Sequence, residues 1–433
     1  NHYDVIIIGG RPAGSTLAAR LAKQGLNILL LERSEFPSLP AASSPIIYAS
    51  SLQLLDEIGA DEAAYAHETP RIRRIIADNS QFHLEIPIPL AHGRDYAYAI
   101  DRARFDAALW ENAARFPNVT ARLNFSVTDL LWEEDRVVGI IGSENGQPPQ
   151  RITTGLVVGA DGRFSLVARK VSAAEYDVHT DNPTSLLYAY WRGVQPYDDH
   201  GPTAVAYEGA PGYGLLVMDS AAGTAAVTME GQADLLEPPP GKTVDFYLEK
   251  LSANPKVMAR LSGAEMITKV HGMRRIGNLY RQPGGSGWAL VGDAYHQHDP
   301  LDGQGIYNAL FTAKSLAWAI RYWRVGQMSW PDALAWYDET ARSKTYGMYR
   351  QTLANVKTNL YNTDQQLPAW ALTGLRTIME DPTTIDLFGK LMTRQIPPEV
   401  IALTTPAVAI GALVRRPFMD FRKRLAGLGL PFN

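Results

Sequence analysis

Between an apolar run, Val5 to Ile8, and a helical pattern with Leu17, Ala18, Leu21 and Ala22 on one face, the chain places Gly9-Gly10-Arg11-Pro12-Ala13-Gly14. A second apolar run, Ile28–Leu31, follows Gly25, a residue suited to the position just past a helix end, and closes on Glu32 and Arg33. Strand, glycine turn, helix and strand make a β-α-β unit, and strands apolar on both faces belong inside a parallel sheet. In such a unit the N–H groups of the turn and the positive helix end receive a pyrophosphate, and an acid closing the second strand accepts ribose hydroxyls. Glu32 stands 18 residues after Gly14, the right distance for that role. The turn departs from the G-x-G-x-x-G pattern at Arg11, which takes the place of the middle glycine and either turns its side chain outward or pairs with phosphate.

No second β-α-β unit with its own glycines follows, so a single nucleotide is held in a domain of its own. The 433 residues correspond to about three domain-sized units. With 41 Lys+Arg against 45 Asp+Glu the net charge is −4, and only 20% of residues are charged, which disfavours nucleic-acid binding and disorder and favours a compact, uncharged substrate. The chain has no cysteine. That excludes disulfides, thiolate metal sites, iron–sulfur clusters and a cysteine nucleophile, so redox chemistry must come from a bound cofactor and no metal is expected. No apolar stretch reaches the ~18 residues of a membrane span, and the start lacks a basic and apolar leader, so the expected location is cytoplasmic.

Residues 52–66 and 102–115 read as helices, and 72–77, 82–86, 94–100, 122–128 and 136–142 as short strands. From about 180 to 280, alternating strands at Leu186–Val194, Thr203–Tyr207, Gly214–Met218 and Thr224–Met229 predict an antiparallel sheet, with a helix around Val244–Leu251 and a strand near Met266–Met273. A buried strand, Trp288–Val291, then leads through a glycine-rich turn into a long helix from Gly305 to Tyr322, and helical patterns continue from Trp330. The predicted fold class is α/β. A Rossmann-like domain spans 1–178 with a sheet insertion near 70–100, an antiparallel sheet domain spans 179–284, residues 285–329 return to the first domain, and 330–433 form a helical region.

Two further segments sharpen the reading. Gly159-Ala160-Asp161-Gly162-Arg163-Phe164-Ser165 follows the strand Leu156-Val157-Val158, and Gly292-Asp293-Ala294-Tyr295-His296 leads on to Pro300, Gly303, Gly305 and Asn308. In this order and spacing the three motifs resemble the FAD-dependent monooxygenase superfamily, of the single-component aromatic-hydroxylase type, with its halogenase and geranylgeranyl-reductase-like relatives, over roughly residues 3–325. The resemblance implies that Gly9, Gly10, Pro12, Ala13 and Gly14 hold the FAD pyrophosphate and that Glu32, with Arg33 beside it, holds the adenosine ribose. It implies further that Arg102 reaches the phosphate or ribityl chain, Val127 the adenine, and Asp293 the ribityl hydroxyls. Asp161 and Gly162 would support FAD and a transient visit of NAD(P)H, and Pro300, Gly303, Gln304 and Gly305 would lie beside the isoalloxazine ring. That last placement has its own physical reason, since Asp302-Gly303-Gln304-Gly305 opens the long helix, whose free N–H groups stabilise the negative charge of a reduced flavin.

The family's antiparallel sheet covers the ring. Arg94, Tyr96 and Tyr98 alternate along one predicted strand, and Tyr188, Tyr190 and Arg192 along another, so each trio shares a face. These residues either line an aromatic cavity with cations for a phenolate, carboxylate or enolate, or pack on a half-buried sheet with wet hydroxyls. His296, His298 and Asp302 flank the flavin turn as proton-transfer candidates, with structural histidines and a helix cap as the plainer account. His271, Arg274 and Arg275 either reach the same interface or form cationic surface. The candidate catalytic set is Pro300, Asp302, His298, Arg94, Tyr96, Tyr190 and Arg192.

By resemblance the reaction is oxygenation of a small aromatic or polyketide-like secondary metabolite through a flavin C4a-hydroperoxide, with NAD(P)H and O2, the reductant arriving directly or through a separate flavin reductase. No lysine occurs between Lys23 and Lys170 and no Trp-x-Trp-x-Ile-Pro segment is present, which sets halogenation behind. Ala41-Ala42-Ser43-Ser44-Pro45 lacks both the mobile-flavin residue of the hydroxylases and the cysteine-glycine pair of the reductases. The alternatives are an FAD-dependent reductase or dehydrogenase, a redox-neutral cyclase, and a binding protein like the guanine-nucleotide dissociation inhibitors, against which Asp293, Gly303 and Gly305 speak. The apolar stretch Ile401–Val414, with Arg415, Arg416, Arg422, Lys423 and Arg424 after it, reads as a buried helix with a solvated end, a weak peripheral membrane contact being the alternative.

Overall fold

The computed structural model describes residues 2–41, 43–80, 83–362 and 369–401. The first apolar run forms β1 (Tyr3–Ile8), the glycine turn enters α1 (Pro12–Lys23), and the second run forms β2 (Ile28–Leu31). Pro12 occupies the first helical position, where its missing N–H has no intrahelical partner to lose. There follow α2 (Ala49–Ile58), β3 (Arg74–Asp78), β4 (His83–Pro87), α3 (Arg102–Ala114), β5 (Val119–Arg122), β6 (Phe125–Glu133), β7 (Arg136–Glu144) and β8 (Gln150–Gly159). The sheet half adds β9 (Glu175–Arg192), β10 (Ala204–Glu208), β11 (Tyr213–Asp219), β12 (Thr224–Gln232) and β13 (His271–Arg281). The chain ends in β14 (Trp288–Leu290), α4 (Gly305–Arg324), α5 (Trp330–Asn355) and α6 (Pro382–Met392).

One sheet runs β14-β8-β1-β2-β5, all parallel, with β6 and β7 joined antiparallel to the start of β8. Ile8 pairs with both Leu31 and Gly159, so the carboxyl ends of β1, β2 and β8 lie level. Open α/β sheets bind ligands at such ends. The second sheet runs from His296–Gln297 through β13, β9, β12, β11, β10 and β3 to β4, antiparallel except where β10 meets β3. Among the described residues three apolar cores form, and β9 reaches all of them. Tyr176 packs on the core of the parallel sheet, Leu187, Ala189 and Trp191 enter the core on one face of the second sheet, and Leu186, Tyr188 and Tyr190 enter that on the other.

The structure departs from the sequence reading at several boundaries. The helix expected over 52–66 ends at Ile58 because Gly59 turns left-handed (φ 70), and Asp61 caps a separate helix, Glu62–Tyr65, through Ala63 N. The strand expected over 94–100 shrinks to Tyr98–Ala99, since its partner Ile46–Ile47 is cut short by the start of α2. Asn124, at φ 56, breaks the strand expected over 122–128 into β5 and β6. No described helix is long and apolar enough to cross a membrane. The stretch Ile401–Val414 and the basic residues after it fall, beyond Ile401, outside the described residues.

Candidate functional site

A cavity of about 520 Å3 opens along the carboxyl ends of β1, β2 and β8. Gly9, Pro12, Ala13, Glu32, Arg33, Arg102, Val127, Asp161, Gly162 and Asp293 form its wall at one end, and Pro300, Gly303 and Gly305 at the other. Gly10, Gly14 and Gln304 are not part of the wall but set its shape. A Cβ on Gly14 would stand 1.8 Å from the Gly9 carbonyl oxygen, and one on Gly10 would stand 2.4 Å from the Trp110 ring. Gly9 itself is at φ 105, which a side chain resists. Gly10 N donates to Glu32 Oε2 at 2.8 Å and Ser34 N to Oε1 at 3.0 Å, so the acid is clamped in the turn it serves. Arg11 lines the cavity as well. It bonds Asp106, the Ser38 carbonyl (3.1 Å) and Ser38 Oγ (3.1 Å), and its extended backbone (φ −80, ψ −171) is open to any residue. Because Arg11 supplies no side-chain cap, the N–H groups of Ala13 and Gly14 at the head of α1 lack both a cap from that side chain and an intrahelical acceptor.

Asp161 faces the cavity while its oxygens accept from Ser165 Oγ and Leu166 N, both at 2.6 Å, which holds the Asp161–Ser165 turn in shape; burial pushes its carboxyl up. Arg163, to which the sequence assigns no role, ties its own motif to the one that follows Trp288–Val291 and to β13. Its Nε lies 3.3 Å from Asp293 Oδ2, Nη1 donates to the Gly277 carbonyl at 3.1 Å, and Nη2 to that of His298. Its signal in the sequence was a cation directly after Asp161-Gly162 with an acid awaiting it in the next motif. Asp106, also unread, is fully buried between Arg11 and Arg102, the latter 3.0 Å away. Asp293 is pushed up by burial, against the pull of Arg163, Arg102 and Arg281.

At the far end Asp299 accepts from Leu301 N at 3.1 Å, Gly303 turns left-handed (φ 64), and Gln304 begins α4 without a side-chain cap. His298 lines the cavity. Its Nε2 lies 2.7 Å from Thr352 Oγ1 and its Nδ1 3.1 Å from Asn308 Nδ2, so with Nδ1 accepting from the amide it is neutral and donates to Thr352. Burial first, then His296, Arg394 and Arg163, hold it well below the usual imidazole range. His296 lies outside the wall, stacked 3.9 Å from the Tyr280 ring, and burial brings it down to about 3.

The FAD binding domain family matches residues 2–350. The chain belongs to that family. It is an FAD-dependent oxidoreductase. The digeranylgeranylglycerophospholipid reductase of Methanosarcina mazei is 27% identical over 314 residues, 72% of this chain and 73% of that one. The tryptophan 2-halogenase of Chondromyces crocatus is 25% identical over 391 residues, 83% and 73% of the two chains. In fold, the flavin-dependent brominase Bmp2 matches with a TM-score of 0.77 at 19% identity, over 97% of this chain and all of that one (100%).

The residues present fit FAD: two N–H groups at an open helix end, glycines where a Cβ would fill the cradle, and a clamped carboxylate at the end of β2. Most of the polar residues expected to touch substrate stand elsewhere. Arg94 bridges Asp56 (2.8 Å) and Glu62 (2.8 Å), and the hydroxyls of Tyr96 and Tyr98 both donate to Glu62 Oε1 at 2.8 and 2.9 Å, because the short helix Glu62–Tyr65 brings a carboxylate to them. Tyr190 is buried, accepting from Arg102 N and donating to the Ile100 carbonyl at 3.0 Å, and Arg192 is exposed at the end of β9. Asp302 neither caps α4 nor lines the cavity. It accepts from Thr352 Oγ1 at 2.7 Å and from Asn355. Tyr188 donates to the Pro40 carbonyl and stacks on His271, while Arg274 and Arg275 pair with Glu237 and Asp234 on the surface. Of the candidate catalytic set, Pro300 and His298 reach the wall, joined by Met273 and Ile276 of β13.

Proposed function

We propose that the enzyme oxygenates a small, electron-rich aromatic or polyketide-like molecule, with NAD(P)H as reductant and O2 as oxidant. The observation that carries this reading is the wall at the Pro300 end, where Met273, Ile276 and Pro300 are apolar, both nitrogens of a neutral His298 are taken by Asn308 and Thr352, and the charge of Arg163 is met by Asp293. Bound FAD supplies the redox chemistry and the activation of oxygen. The chain's residues would hold it through the α1 head, Glu32 and Arg102, keep water from the apolar end, and place the substrate against Met273 and Ile276. Phe164, 74% exposed, and Arg169 share the rim and offer an aromatic face and a cation to the visiting nicotinamide, which supports direct reduction over a separate flavin reductase. Among the described residues the cations of the wall are all arginines, which supports oxygenation over a lysine-relayed halogenation.

The experiment is product analysis with the FAD-loaded protein, NAD(P)H and isotopically labelled O2. Incorporation of one labelled oxygen atom per turnover is expected. A substrate hydrogenated without oxygen uptake would overturn the reading in favour of a second one, reduction of a carbon–carbon double bond, which the likeness to the Methanosarcina mazei reductase favours.

A further inference from the structure

Arg394 follows α6 in a left-handed conformation (φ 58), a place where glycine is the unstrained residue. From there its guanidinium reaches the head of α4. Nε donates to Gln304 Oε1 at 2.9 Å, Nη2 to the same oxygen and to Asn308 Oδ1 at 3.2 Å, and Nη1 to the Lys344 carbonyl at 2.8 Å. Its carbon lies 3.7 Å from the centre of the Tyr307 ring. Each of these acceptors is neutral, and among the described residues no carboxylate pairs with it. The acid of the same turn, Asp302, is held by Thr352 and Asn355 instead. Partial burial lowers the guanidinium to about 10, which leaves it charged at neutral pH.

A partly buried cation whose hydrogen-bond acceptors are all neutral lacks a counter-ion. Gln304 is the N-cap of α4, flanked by Gly303 and Gly305 in the cavity wall, and its Nε2 donates to the Asp302 carbonyl at 2.8 Å. The guanidinium therefore fixes the amide that fixes the turn, and adds a full charge to the partial charge of the helix end.

We propose that Arg394 is a positioning residue for the flavin, holding through Gln304 and Asn308 a permanent positive charge behind the α4 head that favours the reduced, negatively charged ring over the neutral oxidised one. This rests on FAD filling the cavity with its ring at the Pro300–Gly305 turn. The ring gains two electrons and one proton and so one net negative charge, while Arg394 exchanges neither.

The test compares the two-electron midpoint potential and the sulfite affinity of the oxidised flavin in wild type, Arg394→Met and Arg394→Lys, each loaded with FAD at measured stoichiometry. Sulfite adds to the oxidised ring and leaves it negatively charged, so it reads the same electrostatics without turnover. Arg394→Met should weaken sulfite binding about tenfold, as for a partly screened charge, and lower the potential by the matching ~30 mV, while Arg394→Lys restores most of both. Met variant values equal to wild type at full flavin load overturn the inference alone. A wild type that takes up no FAD overturns the cavity reading as well. Loss of flavin from Arg394→Met with Arg394→Lys fully loaded also counts against it, because the charge would then serve to retain oxidised FAD. Should both variants lose flavin, Gln304→Glu, which places a counter-charge on Arg394 in situ, must weaken sulfite binding by a similar factor, and an unchanged affinity refutes the proposal.

Discussion

Gly14→Ala is the sharpest perturbation of the cofactor end. The added Cβ would stand 1.8 Å from the Gly9 carbonyl oxygen and 3.2 Å from Ala160 Cβ. An ordinary carbon–oxygen contact needs about 3.3 Å, so the head of α1 or the Gly9 turn has to give by about 1.5 Å. Both sides of the contact are backbone, so no flexible side chain absorbs the shift. Overpacking of this kind costs about 1–3 kcal/mol, of which alanine's better helix propensity returns up to about 1. The larger effect is on binding, because a displacement near 1 Å between a turn and the group it cradles is worth about a hundredfold. Gly25→Ala is the control: it sits left-handed (φ 83) with nothing within 4 Å of its added Cβ, and should cost about 1–2 kcal/mol of stability without touching FAD. FAD titration of the apoprotein by flavin fluorescence, with thermal unfolding of the same apo samples, separates the two. Gly14→Ala binding FAD as tightly as wild type would refute the claim that the close approach of α1 to the Gly9 turn makes the site.

Glu32→Ala should weaken FAD by about ten- to a hundredfold through lost ribose hydrogen bonds and a released turn, read by equilibrium dialysis; undiminished retention would place the adenosine elsewhere. Arg94→Met should leave FAD affinity and turnover at wild-type levels while costing about 1–2 kcal/mol, since it strips Asp56 and Glu62 of their shared cation. Lost turnover at full flavin load would return Arg94 to the active site. Burial, then Asp299, raises the Glu230 carboxyl well above its ordinary 4.5. The folded chain thus keeps a proton that the unfolded chain releases. That contribution is complete below about pH 4.5 and is lost as pH rises toward the raised value, at about 1.4 kcal/mol per pH unit. Glu230→Gln removes this slope, so its stability relative to wild type should climb across that window in urea titrations at stepped pH, and parallel curves would count against the buried proton.

The cofactor end was legible because its chemistry is written in backbone. Gly9, Gly14 and Glu32 follow each other within one β-α-β unit, and a buried apolar run such as Val5–Ile8 has few alternatives to a central parallel strand. The substrate end was not, because alternation along a segment names a shared face without naming what lies opposite. Tyr96 and Tyr98 do share a partner, but it is Glu62, brought in by a helix that Gly59 and Asp61 restart. Asp302 and His298 were singled out by proximity to the turn, and only the arrival of α5, with Thr352 and Asn355, decides that one is drawn away while the other remains in the wall. Arg394 lies 90 residues from Gln304 in the chain, beyond the reach of any local pattern.

The 18-residue span of β9 bears on how anything enters. The ribbon packs on the core of the nucleotide-holding half through Tyr176 and enters both cores of the facing half, and so ties the two along its length. Its pairing with β13 slips three times, between Tyr176 and Leu186. Those irregular steps are where the ribbon can give, so access to the cavity calls for local bending rather than for a jaw.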